Sequence, residues 1–173
     1  IEKMSAEDSL RAIRLAQVVI LVLDSNAILE KQDLQIAEHV LNEGRALIIA
    51  VNKWDIVEKR EEALEHLKYK LSKSLSQVKD IRTVTVSALM NKNMGKLMDE
   101  VIGVYDVWNR RVATGQMNRW LAAMESQHPA PLVSGRPNRL KFISQIKTRP
   151  PTFAIWCSQP KELPKSYRRY ITN

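Results

Sequence analysis

Two short polar clusters in this sequence carry side chains whose types and spacing could do chemistry. Asn52-Lys53-Trp54-Asp55 follows the apolar run 46–51 (ALIIAV), and Ser87-Ala88-Leu89 follows residues 82–86 (RTVTV). Asp55 supplies one carboxylate, which can accept two adjacent N–H donors as a bidentate pair. Guanine offers that pair on its Watson–Crick edge, the ring imino N–H beside the exocyclic amino group. Adenine has a lone pair where guanine has the imino hydrogen, so it leaves the carboxylate repelled and unpaired. Sites built on such bonds reject the wrong partner by roughly 10⁴-fold. The Asn52 amide can reach the far edge of the base and brace neighbouring loops, and the stem of Lys53 can lie across the ring face. The backbone N–H of Ala88 can donate to the guanine carbonyl, with Ser87 shaping the turn of the loop that ends at Leu89. A turn without function is the alternative for the tetrapeptide alone. Its place after a buried strand, with the second cluster 35 residues later after another strand, favours base reading.

Those clusters need elements to hold them. Residues 7–17 form a short amphipathic helix carrying Leu10, Ile13 and Leu15. Residues 18–24 (VVILVLD) read as a strand covered on both faces. A helix over 30–43 places Leu34, Ile36, Ala37, Val40 and Leu41 at helical spacing and stops at Gly44. Residues 46–51 form a second buried strand, 59–75 a helix with Leu64, Leu67, Leu71 and Leu75 in step, and 82–86 a third strand. A last helix over 93–112 aligns Leu97, Val101, Val104 and Trp108. Alternating strands and helices predict an α/β fold with a parallel sheet and right-handed crossovers. Ligands in such folds bind beyond the carboxyl ends of the strands, where both polar clusters lie.

The two clusters match the N-K-x-D and S-A-K/L motifs of GTP-binding proteins. A phosphate loop, G-x-x-x-x-G-K-[ST], is absent from the 173 residues, as is a D-x-x-G before the first helix. Phosphates need a cradle of backbone N–H groups and a Mg²⁺ ligand. The expectation is therefore a fragment of a longer chain, in which residues 18–24 pair with a phosphate-loop strand. Farther on, TRPPTF (148–153) and LPKSYRRY (163–170) are more specific than N-K-x-D. With SLRAIRLAQVVILVLD and GRALIIAVNKWD, they make the chain resemble the bacterial Der (EngA) GTPase family along essentially its whole length.

That resemblance implies a partial Ras-like P-loop GTPase sheet over residues 1–112, followed by a small α+β KH-like domain over 113–173 that is truncated at its end. It implies GTP or GDP as ligand through Asn52, Lys53, Asp55, Ser87, Ala88 and Leu89, with Trp54 at the non-reading position. Mg²⁺ is implied in the full-length protein only, as is GTP hydrolysis, with no catalytic residue in these 173. The implied partners are the large ribosomal subunit with its rRNA, whose assembly the family assists, and an upstream G domain packing on the KH-like domain. The implied location is the cytoplasm.

Charge supports two modules. Residues 1–112 hold 17 basic and 17 acidic side chains, whereas 113–173 hold 10 basic residues against Glu125 and Glu162, so the net +8 lies entirely in the last third. Such asymmetry suits a polyanionic partner. Residues 117–127 read as a helix, 139–147 and 152–157 as strands, and 163–171 as a closing helix. In the first strand, Leu140, Phe142, Ser144 and Ile146 are expected on the apolar face, with Arg139, Lys141, Ile143, Gln145 and Lys147 opposite. The G-x-x-G grip of typical KH domains is missing, since only Gly115 and Gly135 follow residue 112. RNA contact would then fall to Arg136, Arg139, Lys141, Lys147, Arg149, Arg168 and Arg169 against phosphates, with a merely solvated basic face as the alternative. A non-catalytic RNA-binding or scaffolding chain without useful nucleotide affinity is the rival to the GTPase reading.

The remaining residues are plainer. One cysteine, Cys157, forms no internal disulfide, which suits a reducing compartment, and it reads as packed rather than nucleophilic. His39, His66 and His128 make no ligand cluster, no apolar run is long enough to span a bilayer, and Trp108 and Trp120 are expected to cement the two modules.

Overall fold

Each of the first three strands is followed by a helix that returns the chain to the same end of the sheet, and that connectivity makes the strands parallel. A computed structural model describes residues 2–75 and 81–172. The chain divides into two units, residues 1–108 and 109–173.

In the first unit, β1 (Val18–Asp24), β2 (Ala46–Asn52) and β3 (Arg82–Thr85) form a parallel sheet in the order β1-β2-β3. Helices α1 (Glu2–Leu15), α2 (Lys31–Asn42), α3 (Arg60–Ser74) and α4 (Met94–Trp108) accompany it. Side chains alternate across a strand, so β2 feeds two cores at once. Leu47, Ile49 and Val51 pack with Ile13, Ala37, Val40 and Leu67, whereas Ile48 and Ala50 pack with Val84, Val86 and Leu97. Residues 46–51 are all buried, as their apolar run predicts. Each full-sized aliphatic side chain so placed contributes about 1.5–3 kcal/mol. Strand β1 departs from expectation because Val22 is 59% exposed, and among the described residues β1 pairs with β2 alone.

Helix α4 ends at Trp108 rather than continuing to 112. The Trp108 indole is buried in the first unit and donates to the Gly44 carbonyl at 2.7 Å. The backbone that follows is held by a side chain instead of by helical bonds. The Val112 N–H donates to Gln145 Oε1 (2.8 Å), and Gln145 Nε2 donates to the Arg110 carbonyl (3.1 Å).

The second unit contains α5 (Thr114–Gln127), an antiparallel pair β4 (Leu140–Lys147) and β5 (Thr152–Cys157), and α6 (Lys165–Thr172). Met117, Leu121, Met124, Leu140, Ile143 and Tyr167 form its core, and the Tyr167 hydroxyl donates to the His128 carbonyl at 2.7 Å. Cys157 packs beside this core. Helix α5 also grips β4 along the side turned away from β5. The Asn118 amide donates to the Ile143 carbonyl (2.9 Å) and accepts its N–H (3.1 Å), while Glu125 accepts the Leu140 N–H (2.8 Å).

The expected faces of β4 hold in part. Leu140 is buried and Arg139, Lys141 and Lys147 are exposed as expected, whereas Ile143 and Gln145 are buried and Phe142 and Ile146 are exposed against a strict alternation. The ladder has irregularities between Leu140 and Phe142 and between Gln145 and Lys147. An extra residue at such a place resets the period-two pattern.

Candidate functional site

The residues singled out at the carboxyl ends of β2 and β3 converge in the first unit. Asn52 is the last residue of β2, and Asp55 lies within a short 3-10 turn, Trp54–Ile56. Two anchors hold that turn. The Trp54 N–H donates to the Val86 carbonyl (3.0 Å), and the Trp54 ring packs against the larger core. Ser87 begins the facing loop, which closes through paired backbone bonds between Ser87 and Lys92 at 3.2 and 2.9 Å.

The two loops are tied directly to each other. Asn52 Oδ1 accepts the Ala88 N–H at 3.0 Å. Ser87 beside it, with a backbone contact of Asp55 itself, holds the Asp55 carboxyl below the ordinary aspartate value. Ser87 is only 1% exposed, and its oxygen also accepts the Met90 N–H at 3.1 Å. The Met90 amide thus fixes the Ser87 hydroxyl beside an exposed carboxylate whose pKa is lowered. Ala88 is exposed, and Leu89 at the loop tip is 87% exposed. The Ala88 N–H, expected to be available to a base carbonyl, is engaged by Asn52, so a guanine at this site has to share or displace that bond.

Lys53 adopts a left-handed backbone conformation (φ 60°), uncommon for a residue with a side chain. The loop after β1 holds it there at two points. Ser25 Oγ donates to the Lys53 carbonyl (3.1 Å), and Lys53 Nζ pairs with Asp24 Oδ2 at 2.6 Å. Asp24 also accepts the Asn26 N–H (2.9 Å). The ammonium, followed by the Asn26 amide, holds the Asp24 carboxyl below its usual pKa, and Asp24 in turn raises that of Lys53. Sequence reading missed Asp24. The one available signal was a carboxylate closing an otherwise apolar strand, in register with Asn52. The arrangement is a carboxylate, an aliphatic stem and an amide supported by three loops, which is the donor and acceptor set that a guanine edge demands.

A cavity shares Asp55 and Ser87 with this site and is otherwise walled by residues including Trp54, Arg60 and Asn93; Asn52, Lys53 and Ala88 do not line it. Among the described residues no group of three or more His, Cys, Asp or Glu could hold a metal ion. Among them, too, no helix is long and apolar enough to cross a membrane.

The seven basic residues marked as RNA candidates all lie exposed in the second unit. Two have partners within it. Arg168 donates to the Pro160 and Leu163 carbonyls at 2.7 and 3.1 Å, and Arg149 bonds Asn109. The side chains of Arg136, Arg139, Lys141, Lys147 and Arg169 have no hydrogen-bond or ion-pair partner among the described residues.

Comparison with known proteins agrees with this division. Residues 6–106 match the model of the elongation factor Tu GTP binding domain, and residues 111–173 match the KH-domain-like C-terminal region of EngA bacterial GTPase enzymes. GTPase Der of Mesorhizobium japonicum and GTPase Der of Brucella anthropi are each 49% identical over all 173 residues. The chain spans 36% of the length of either relative. Among solved structures, Aquifex aeolicus Era bound to GDP.AlF4− aligns with a TM-score of 0.48 at 19% identity, covering 55% of this chain and 31% of that one. That likeness is too slight to carry an argument.

Proposed function

The chain belongs, through residues 6–106, to the GTP-binding domain family of elongation factor Tu and is along its whole length a homologue of the Der (EngA) GTPases; from that premise we propose that it reads guanine in GTP and GDP through Asp55. The observation that carries this reading is the convergence of the two loops, with Asp55 beyond the end of β2 and Ser87 beyond the end of β3 lining one cavity. Asn52 braces the Ser87-Ala88-Leu89 loop, and Asp24 holds the Lys53 stem that lies over the base. The phosphate cradle, Mg²⁺ and the hydrolytic machinery belong to parts of the longer protein beyond these 173 residues, and this stretch alone is inactive as a GTP hydrolase.

The second unit, with 10 basic residues against two acidic ones over 113–173, meets RNA. Its salt-dependent grip serves assembly of the large ribosomal subunit in the cytoplasm, with an upstream G domain packed on this unit.

Asp55→Asn in the full-length protein tests the base reading. Xanthine has a carbonyl where guanine has its amino group, so preference swings from GTP toward xanthosine triphosphate. Retained GTP preference refutes the assignment. A second reading, an RNA-binding or scaffolding chain without useful nucleotide affinity, draws on the engagement of the Ala88 N–H by Asn52. Calorimetry of the 173-residue chain with GDP tests the second reading: measurable binding refutes it.

A further inference from the structure

The hairpin of the second unit turns an unexpected face to solvent. Phe142 on β4 and Trp156 on β5 are cross-strand partners with ring centroids 5.3 Å apart and planes tilted by 56°. They are 41% and 49% exposed, and Ile146 farther along β4 is 56% exposed. At each ladder irregularity two successive residues are exposed together, Lys141 with Phe142 and Ile146 with Lys147. A lysine therefore stands beside an apolar side chain at both ends of the face. Neither ammonium has a partner among the described residues, and of the unit's acidic groups Glu125 is occupied on the Leu140 N–H at the far edge of β4.

Aromatic planes in water beside unpaired cations suit a ligand with flat apolar rings on an anionic backbone. An apolar protein surface would cover the rings and strand the two ammonium groups without counter-charge. Unpaired nucleotides satisfy both, because every base has a π-face for the ring and a phosphate for the lysine. We propose that the outer face of β4 and β5 is a stacking platform for single-stranded RNA, with bases on Phe142 and Trp156 and phosphates at Lys141 and Lys147. The inference rests on the RNA reading above and deepens it: RNA in unpaired form is selected, and the rings rather than the charges make the selection. Duplex RNA, whose bases are stacked away, gains nothing from the rings.

The test uses the whole chain, an eight-nucleotide oligouridylate and a duplex of equal length, each at two salt concentrations. Trp156→Leu and Phe142→Leu should each weaken single-strand binding about tenfold, leave duplex binding unchanged and preserve the salt slope, because no phosphate contact is lost. Lys141→Gln with Lys147→Gln should instead flatten the single-strand salt slope by about 1.4. Trp156→Tyr should retain most of the affinity, which separates a lost stacking plane from a damaged fold. If wild type binds RNA and the ring variants bind as well as it does, the platform is refuted and the RNA reading stands. Equal losses for duplex and single strand also refute it. If wild type binds neither RNA at low salt, the RNA reading fails and takes the platform with it.

Discussion

Replacing Ser87 by alanine probes the base site at its most buried member. The hydroxyl, in a residue 1% exposed, accepts the Met90 N–H at 3.1 Å and lowers the pKa of the neighbouring Asp55 carboxyl. Its removal leaves a partly buried amide without an acceptor, at a cost of about 1–2 kcal/mol. Amide hydrogen exchange in β2 reports that loss as a roughly tenfold faster rate at its slowest residues. Asp55 responds separately. Its carboxyl is held low first by Ser87, so in the variant its pKa climbs back toward the ordinary aspartate value, read by carbonyl NMR titration. A depressed carboxyl pKa stabilises the fold above the unfolded value of about 3.8, and that contribution is lost as pH falls through the folded value. The part of the difference between variant and wild type that arises from Asp55 is therefore full at neutral pH and shrinks in acid. In the full-length protein guanine-nucleotide affinity falls about tenfold, because the loop beside Asp55 has lost the bond from the Met90 amide that fixes it. Faster exchange with an unchanged Asp55 titration would refute the reasoning, by showing that the hydroxyl supports the loop but not the carboxylate.

Asp24→Asn removes the charge facing Lys53 Nζ at 2.6 Å; both side chains are partly exposed, so nucleotide affinity in the full-length protein should drop only two- to fivefold, chiefly through faster release in stopped-flow measurements. Unchanged release at low salt would mean that Lys53 is positioned without Asp24. Gln145→Leu keeps the volume but orphans the Val112 N–H and the Arg110 carbonyl, so the second unit should lose about 2–3 kcal/mol in denaturant titration. Gln145→Glu keeps an acceptor for Val112 but buries a carboxylate against the Arg110 carbonyl, so at neutral pH its loss should be at least that of the leucine variant and should shrink in acid as the carboxyl is protonated.

The legible parts of this chain are those where one physical signal dominates. The run ALIIAV has no polar residue to satisfy, and it becomes the central strand with all six positions buried. Asn52 and Asp55 stand out because polar groups at the end of such a strand have no packing reason to be there. TFAIWC is bounded by prolines and a serine, and β5 matches it residue for residue. Legibility fails where a distant group decides. The periodicity of α4 runs on past Trp108, but Gln145, 33 residues beyond Val112, captures the backbone there. The faces of β4 differ in part from those expected because bulges leave no mark in a two-residue alternation, so Gln145 looked like a surface residue and Phe142 like core. Asp24 was overlooked because its partner, Lys53, is brought near only by the pairing of β1 with β2.

The grip of α5 on β4 gives the small sheet a direction of growth. Asn118 occupies both main-chain groups of Ile143, and Glu125 takes the N–H of Leu140, so the flank of β4 opposite β5 is already closed by side chains. A further strand, whether from this polypeptide or from another molecule, would have to evict an amide and a carboxylate to enter there. Among the described residues no strand lies on the other flank of β5, and entry there requires no such eviction. The hairpin is therefore a one-sided template, and the side that can be extended belongs to the strand that carries Trp156.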